Sequence, residues 1–188
     1  MGRITEQLAS RLTRTTVHLD TPVESVESGR LVLRGGRSIT AKNIIVATEG
    51  PVASRLLGLP TVGSRSAGCV YFAADVAPVD GAYVILDGHG HGPVYNVAVM
   101  SHVSPAYAPT GKHLVAAALP GTVEGDLESA ARRQLRSWWG PQVDNWRHLR
   151  TYRIEHGQPD QTPPFNPKKN VSLGNGIFVC GDHRDTPS

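Results

Sequence analysis

AKNIIVATEGP, residues 41–51, is the stretch that indicates the fold class of this chain. Within a strand expected over 41–48, Ile44 to Ala47 are continuously apolar, which is typical of a strand covered on both faces in an α/β sheet. Glu49-Gly50 then breaks the strand, and Pro51 suits the first turn of a helix that ends at Gly58. The stretch therefore predicts a strand, a turn and a helix of an α/β layer.

A second strand of the same kind lies at the end of the sequence. In GIFVCGDHRDTPS, residues 176–188, the apolar run Ile177 to Cys180 leads into Gly181-Asp182. Ligands of open α/β sheets bind beyond the carboxyl ends of the strands, where a glycine lets the backbone approach a phosphate. Gly-Asp is also a common turn pair. From the residues alone, a ligand site and a plain turn both remain open.

Upstream of AKNIIVATEGP the sequence predicts a helix, a strand and a hairpin. A short amphipathic helix is expected over 5–14, and a strand over 16–19. Alternating apolar residues on either side of Ser28-Gly29-Arg30 predict the hairpin, and Gly35-Gly36 a second turn. The buried stripe of the helix is expected to consist of Ile4, Leu8 and Leu12.

Downstream of Pro60, the sequence predicts a largely antiparallel sheet and one long helix. The helix is expected from about Val123 to Trp139, because acidic residues come first, arginines follow and Gly140-Pro141 ends it. A further strand is expected over 146–156 and a Pro-rich connector over 158–169. The other predicted strands are GCVYFAAD (68–75), AYVILD (82–87), VYNVAVM (94–100) and KHLVAAALP (112–120).

This order of elements predicts an α/β (α+β) protein of two lobes. Residues 1–64 and 159–188 are expected to form a partial, doubly wound lobe, and residues 65–158 a largely antiparallel one. The 188 residues, 39% of them hydrophobic, support a sizeable core.

The composition of the chain also limits the classes of molecule that we expect it to bind. The 19 basic and 16 acidic residues are spread along the chain, which argues against a nucleic-acid partner. No stretch approaches the roughly 18 consecutive apolar residues of a membrane span, and the N-terminus lacks the core of a signal peptide. We expect a soluble protein of a reducing compartment, the cytoplasm by default.

The polar residues do not form a recognisable catalytic set, so catalytic residues stay unassigned. Cys69 and Cys180 lie in apolar runs, which favours buried free thiols over a disulfide. His89 and His91 belong to a glycine-rich hairpin tip, and no metal is expected there. Of Trp138-Trp139, one ring is expected in the core and the other at an interface. The serines considered as nucleophiles lack a G-x-S-x-G elbow: Ser101, Ser104 and Ser129.

Six stretches in order resemble the flavin-containing amine oxidase superfamily, which includes phytoene-desaturase-like and protoporphyrinogen-oxidase-like enzymes. GIFVCGDHRDTPS is similar to the second FAD motif of that family, a Gly-Asp followed by Pro-Ser. TPVESVE (21–27) looks like the strand whose first Val meets adenine, and 41–57 looks like the strand and helix that come next. The other similar stretches are MGRITEQLASRL, NVAVMSHVSPAYAPTGKHLVAAALPG and YRIEHGQPDQTPPF.

The resemblance implies FAD as cofactor and a small organic substrate. It makes Val23 a backbone contact to adenine, and Gly181 and Asp182 contacts to the pyrophosphate and the ribityl chain. The family takes a hydride from a C–N or C–C bond and passes it to flavin, so the cofactor supplies the difficult chemistry. The partial lobe would then be the FAD-binding lobe, and 65–158 the substrate lobe.

The sequence departs from the family in two places. It lacks the G-x-G-x-x-G turn, and the helix expected after Pro187-Ser188 is missing. We therefore expect a central to C-terminal portion of an FAD-dependent oxidoreductase, which by itself binds FAD poorly or not at all. The alternative is a non-catalytic binding or scaffolding module derived from the substrate lobe.

Overall fold

A computed structural model of the chain describes residues 2–121, 124–164, 166 and 168–185. Its helices are α1 (Gly2–Ser10), α2 (Gly50–Leu57), α3 (Met100–Val103) and α4 (Leu127–Trp139). Its strands are β1 (Val23–Glu27), β2 (Arg30–Leu33), β3 (Ser38–Thr40), β4 (Ile44–Val46), β5 (Ser64–Ala74), β6 (Val84–Leu86), β7 (Asn96–Val99), β8 (His113–Pro120), β9 (Arg147–Pro159), β10 (Ser172–Gly174) and β11 (Ile177–Val179). Short 3-10 turns occupy Pro105–Tyr107, Gly140–Asn145 and Asp182–Arg184.

The two apolar strands that indicated the fold class pair with each other. β4 and β11 run parallel, with Val46 opposite Val179, and β10 extends the sheet in the order β10-β11-β4. α2 follows β4 directly, has Pro51 in its first turn, and ends at Gly58 with a φ of 63°. The predicted strand, turn and helix are confirmed, and the pairing brings distant parts of the chain into one sheet.

The prediction that these strands are covered on both faces is wrong for the part of the chain that the structure describes. Ile44, Val46 and Val179 are buried together with α2. On the other face Ile45 is 67% exposed and Phe178 is 36% exposed. Successive side chains of a strand point to opposite faces, and the described residues pack a layer on only one face of this sheet.

The N-terminal predictions hold in part. The hairpin of β1 and β2 and the turn at Gly35-Gly36 are confirmed, and β3 pairs with β2. α1 lies earlier than expected, and residues 16–19 form no strand. The expected buried stripe is exposed, because no other described element covers this side of α1: Ile4, Leu8 and Leu12.

The antiparallel sheet is confirmed, with five strands in the order β6-β7-β8-β5-β9. α4 packs on one face of it. The predicted helix start at Val123 lies outside the described residues; α4 begins at Leu127, where the Asp126 carboxylate accepts the Ser129 N–H at 3.1 Å. The core between α4 and the sheet includes Val70, Phe72, Val115, Leu119, Leu127, Ala131 and Leu135.

The fold class is therefore the predicted α/β (α+β) mixture. The Pro-rich connector contains no strand beyond Pro159 among its described residues. None of the helices in the described ranges combines the length and apolar character needed to cross a membrane.

Candidate functional site

The candidate site lies where β4 and β11 end side by side. The Cys180 N–H donates to the Val46 carbonyl at 3.0 Å, which keeps the two strand ends together. Beyond them, one segment turns through Glu49 into α2, and the other turns through Gly181-Asp182. One small cavity is lined by residues of both turns, Glu49 from the first and Asp182 from the second. This is the edge where open α/β sheets bind ligands.

Two glycines allow these turns to pack closely. Gly181 has a φ of 147° and a ψ of 172°, a conformation that is essentially restricted to glycine. A Cβ at Gly181 would lie 2.8 Å from Cε1 and Nδ1 of His183, and one at Gly50 would lie 3.1 Å from Cβ of His183. Gly181 therefore holds a conformation that other residues rarely adopt, while the Arg184 N–H donates to its carbonyl at 3.0 Å and closes a turn over residues 181–184.

His183 packs between these glycines, and its side chain is only 1% exposed. Neither ring nitrogen has a hydrogen-bond partner among the described residues. Burial lowers the pKa of His183, the positive charges of Arg184 and Lys169 lower it further, and the Asp182 carboxylate opposes them. Buried polar atoms in folded proteins almost always have a partner, so His183 is an exception among the described residues.

Val23, the other predicted contact, lines a neighbouring cavity of about 450 Å³. This cavity also contacts Val46 and Thr48, whereas the adjacent Glu49 lines the cavity of Asp182. The structure thus places Val23 and Asp182 on the two sides of the turn between β4 and α2. The volume at Val23 falls in the range of small-molecule pockets, about 300–1,000 Å³, whereas the cavity at Asp182 has a volume of about 20 Å³. The glycine turn lets the backbone approach a phosphate, which is the part of a dinucleotide that this edge of the sheet suits.

One pair of this site had no signal in the sequence. The Ser64 hydroxyl and Nδ1 of His156 lie 2.7 Å apart and line the same cavity as Asp182. The two residues are 92 positions apart, and only the pairing of β5 with β9 brings them together. No local spacing predicts such a contact.

The other candidates take structural roles. Asp87 lies beside His89 and His91, but its carboxylate oxygens accept the His89 N–H at 3.0 Å and the Gln134 amide at 3.0 Å. No group of three or more His, Cys, Asp or Glu in the described ranges is arranged to hold a metal. Both cysteines are free.

Two expectations about burial are wrong. Cys180 is exposed, because it lies past the last paired residue of β11. Trp138 and Trp139 are both half-buried against the core, and Trp146 is the one that is buried. Trp138 and Trp139 are partly buried because they end α4, which packs with one side on the five-stranded sheet.

Solved structures share this fold. A putative protoporphyrinogen oxidase from Exiguobacterium sp. 255-15 superposes with a TM-score of 0.74 at 19% identity, over 100% of this chain and 47% of that one. A reduced UDP-galactopyranose mutase superposes with a TM-score of 0.60 at 14% identity, over 84% of this chain and 40% of that one. An oxidoreductase from Methanosarcina mazei superposes with a TM-score of 0.52 at 15% identity, over 88% of this chain and 44% of that one. The chain thus spans less than half the length of each.

The family model that matches the chain describes flavin-containing enzymes, which points to FAD as the cofactor. The chain belongs to the family of flavin-containing amine oxidoreductases, whose model matches residues 1–188. A comparison with curated proteins found no match.

Proposed function

We propose that this chain is the central and C-terminal part of an FAD-dependent oxidoreductase that transfers a hydride from a C–N or C–C bond of a small organic substrate to the flavin. The observation that carries the proposal is the Gly181-Asp182 turn beside the N-terminus of α2, at the carboxyl ends of two parallel strands. The share of the Exiguobacterium protein that the chain spans, 47%, supports a longer parent protein.

Each predicted contact has a role in this proposal. Backbone groups of Val23 bind the adenine, and the backbone at Gly181 approaches the pyrophosphate. The Asp182 carboxylate is 54% exposed, so it is free to accept hydrogen bonds from ribityl hydroxyls. FAD, when bound, supplies the hydride-accepting chemistry. The chain's residues bind and orient it, and residues 65–158 form the substrate lobe next to the FAD-binding parts 1–64 and 159–188.

The test is flavin binding by the full-length protein and by Asp182→Asn. The wild type is expected to co-purify with flavin absorbance, and an anaerobic panel of amines and saturated C–C substrates is expected to bleach it. Hydrogen bonds to a charged group contribute about 1.5–3 kcal/mol, so Asp182→Asn is expected to weaken FAD binding about 10- to 100-fold.

Asp80→Asn is the matched control, since Asp80 is exposed and lies outside the cavity that Asp182 lines. Equal FAD affinities of the two variants would contradict the assigned role of Asp182. A folded full-length protein without flavin would contradict the oxidoreductase and favour the non-catalytic binding module instead. The 188-residue chain alone is expected to bind FAD poorly or not at all.

A further inference from the structure

One face of the five-stranded sheet is covered by α4, and the opposite face, called here the open face, is not covered by any described helix. Strand register identifies its members, because directly opposite residues share a face. Tyr71 of β5 lies opposite Arg150 of β9 and Ala116 of β8. Cys69 of β5 lies opposite Tyr152 of β9. The open face therefore crosses the middle of the sheet.

The floor of the open face is shallow and apolar. Its central positions are occupied by alanine, whose single methyl group leaves the sheet surface flat. Apolar side chains border it: Leu86 is 71% exposed and Ile154 is 43% exposed. The alanines of the floor are Ala67, Ala73, Ala98, Ala116 and Ala118.

Two tyrosines and an arginine rise from this floor as one cluster. The rings of Tyr71 and Tyr152 lie 5.8 Å apart at 83°, in an edge-to-face contact. The guanidinium carbon of Arg150 lies 5.6 Å from the centroid of the Tyr152 ring. Burial and the contact with Cys69 raise the pKa of Tyr71 to about 12, so its hydroxyl stays protonated. Aromatic rings attract other planar rings in edge-to-face and offset-stacked arrangements, and a guanidinium stacks on aromatic faces.

The charge of the open face is positive and unpaired. Ion pairs in the described ranges occupy other arginines, such as Arg65 and Arg132, and neither Arg150 nor Arg147 on the same strand takes part in one. A guanidinium binds a carboxylate through two parallel hydrogen bonds. Among the described residues, Arg150 and Arg147 therefore have no carboxylate partner.

The open face is continuous with the candidate cofactor site. β5 and β9 pair along their whole length, and their other ends, at Ser64 and His156, line the cavity of Asp182. His156 is four residues from Tyr152 on β9, which at a rise of about 3.3 Å per residue separates them by about 13 Å. A small molecule on the cluster therefore lies close to the end of a cofactor bound at Asp182.

We propose that Tyr71, Arg150 and Tyr152 form the recognition site for a substrate with a planar apolar body and a carboxylate group. The carboxylate pairs with Arg150, and the planar body lies on the alanine floor against the two tyrosine rings. This inference rests on the proposed function, because it assigns the substrate class of the same oxidoreductase.

Calorimetric titration of the full-length protein tests this site with two probes, 2-naphthoate and its neutral carboxamide. The wild type is expected to bind naphthoate about tenfold more tightly than the carboxamide. Arg150→Gln is expected to remove that difference, and Arg150→Lys to restore part of it. Tyr152→Leu is expected to weaken both probes, because both rest on the ring.

Arg133→Gln is the matched control, since Arg133 is exposed on α4, on the covered side of the sheet. Naphthoate affinity that falls in Arg133→Gln but not in Arg150→Gln would overturn the inference, as would equal binding of both probes or no binding. Flavin absorbance of the same samples is a separate readout. If the protein carries flavin but naphthoate binding does not depend on Arg150, this inference alone is refuted. If naphthoate binding depends on Arg150 but the protein carries no flavin, the proposed function is refuted.

Discussion

Replacing Gln134 by alanine is expected to lower the free energy of unfolding by about 3 kcal/mol. The Gln134 side chain joins α4 to the loop between β6 and β7. Its Oε1 accepts the Val94 N–H at 2.8 Å, and its Nε2 donates to the Val94 carbonyl at 2.9 Å and to Asp87 Oδ2 at 3.0 Å.

The magnitude follows from the burial of Val94, which is 0% exposed. Truncation leaves its N–H and carbonyl without partners, and each unsatisfied buried group costs about 1–3 kcal/mol. The two groups together give about 2–6 kcal/mol. Water at the exposed loop satisfies part of this loss, so we expect a cost in the lower half of that range. Gln142→Ala is the control, because the Gln142 amide donates one bond, to the Trp139 carbonyl at 3.1 Å, on the surface; its cost is expected within about 0.5 kcal/mol.

Urea unfolding followed by tryptophan fluorescence measures the free energy of unfolding of both variants, since all three tryptophans lie in or against the core between α4 and the sheet. Gly92→Ala completes a double-mutant cycle. A Cβ at Gly92 would overlap the Gln134 amide, so this substitution displaces the same bonds and is expected to cost about as much as Gln134→Ala. In the Gln134→Ala background it is expected to cost almost nothing. Additive costs, or a Gln134→Ala effect equal to that of Gln142→Ala, would refute the reasoning.

Three further predictions use the same unfolding and binding assays. Arg132→Lys is expected to cost about 1.5–3 kcal/mol, because the guanidinium donates to the Val143 carbonyl at 2.6 Å and the Trp146 carbonyl at 3.0 Å; an unchanged urea midpoint would contradict this. Gly181→Ala is expected to weaken FAD binding by the full-length protein and to add about 1–3 kcal/mol of backbone strain, and equal FAD affinity would contradict it. Burial lowers the pKa of His183 from its ordinary value of 6.5, so the imidazole binds a proton more readily in the unfolded chain than in the folded one. The contribution of the neutral His183 to the free energy of unfolding is therefore expected to be complete above pH 6.5 and to be lost as the pH falls below 6.5. His183→Gln is expected to flatten this part of the pH profile of unfolding, and an unaltered profile would assign the loss to other groups.

Local chemistry explains why much of the fold could be predicted. Pro51 and Gly58 mark the two ends of α2 through their own backbone preferences, and Gly140 marks the end of α4 in the same way. The turn at Gly181-Asp182 was found for a similar reason, since an apolar run followed by Gly-Asp indicates a strand that ends at a sharp corner. In each case the signal lies within a few residues of the feature.

The predictions failed where a feature depends on what packs against it. The pattern of Ile45 does not reveal whether its face of the sheet is covered, and the helical spacing of Leu8 does not reveal whether a partner surface exists. The same limit hid the pair of Ser64 with His156 and the cluster around Tyr152. These contacts depend on strand register between segments far apart in the chain.

The sequence by itself determined most of the strands, the helix from Pro51 to Gly58 and the glycine corner at Gly181. These features follow from backbone preferences and apolar patterning, which act over a few residues. The tertiary structure alone decided that β4 and β11 are neighbours and that the buried His183 ring has no hydrogen-bond partner among the described residues. It also decided that Arg150 stands beside Tyr71 on an open face. Each of these depends on pairing across long stretches of chain, where register and packing set the geometry and no local pattern encodes it.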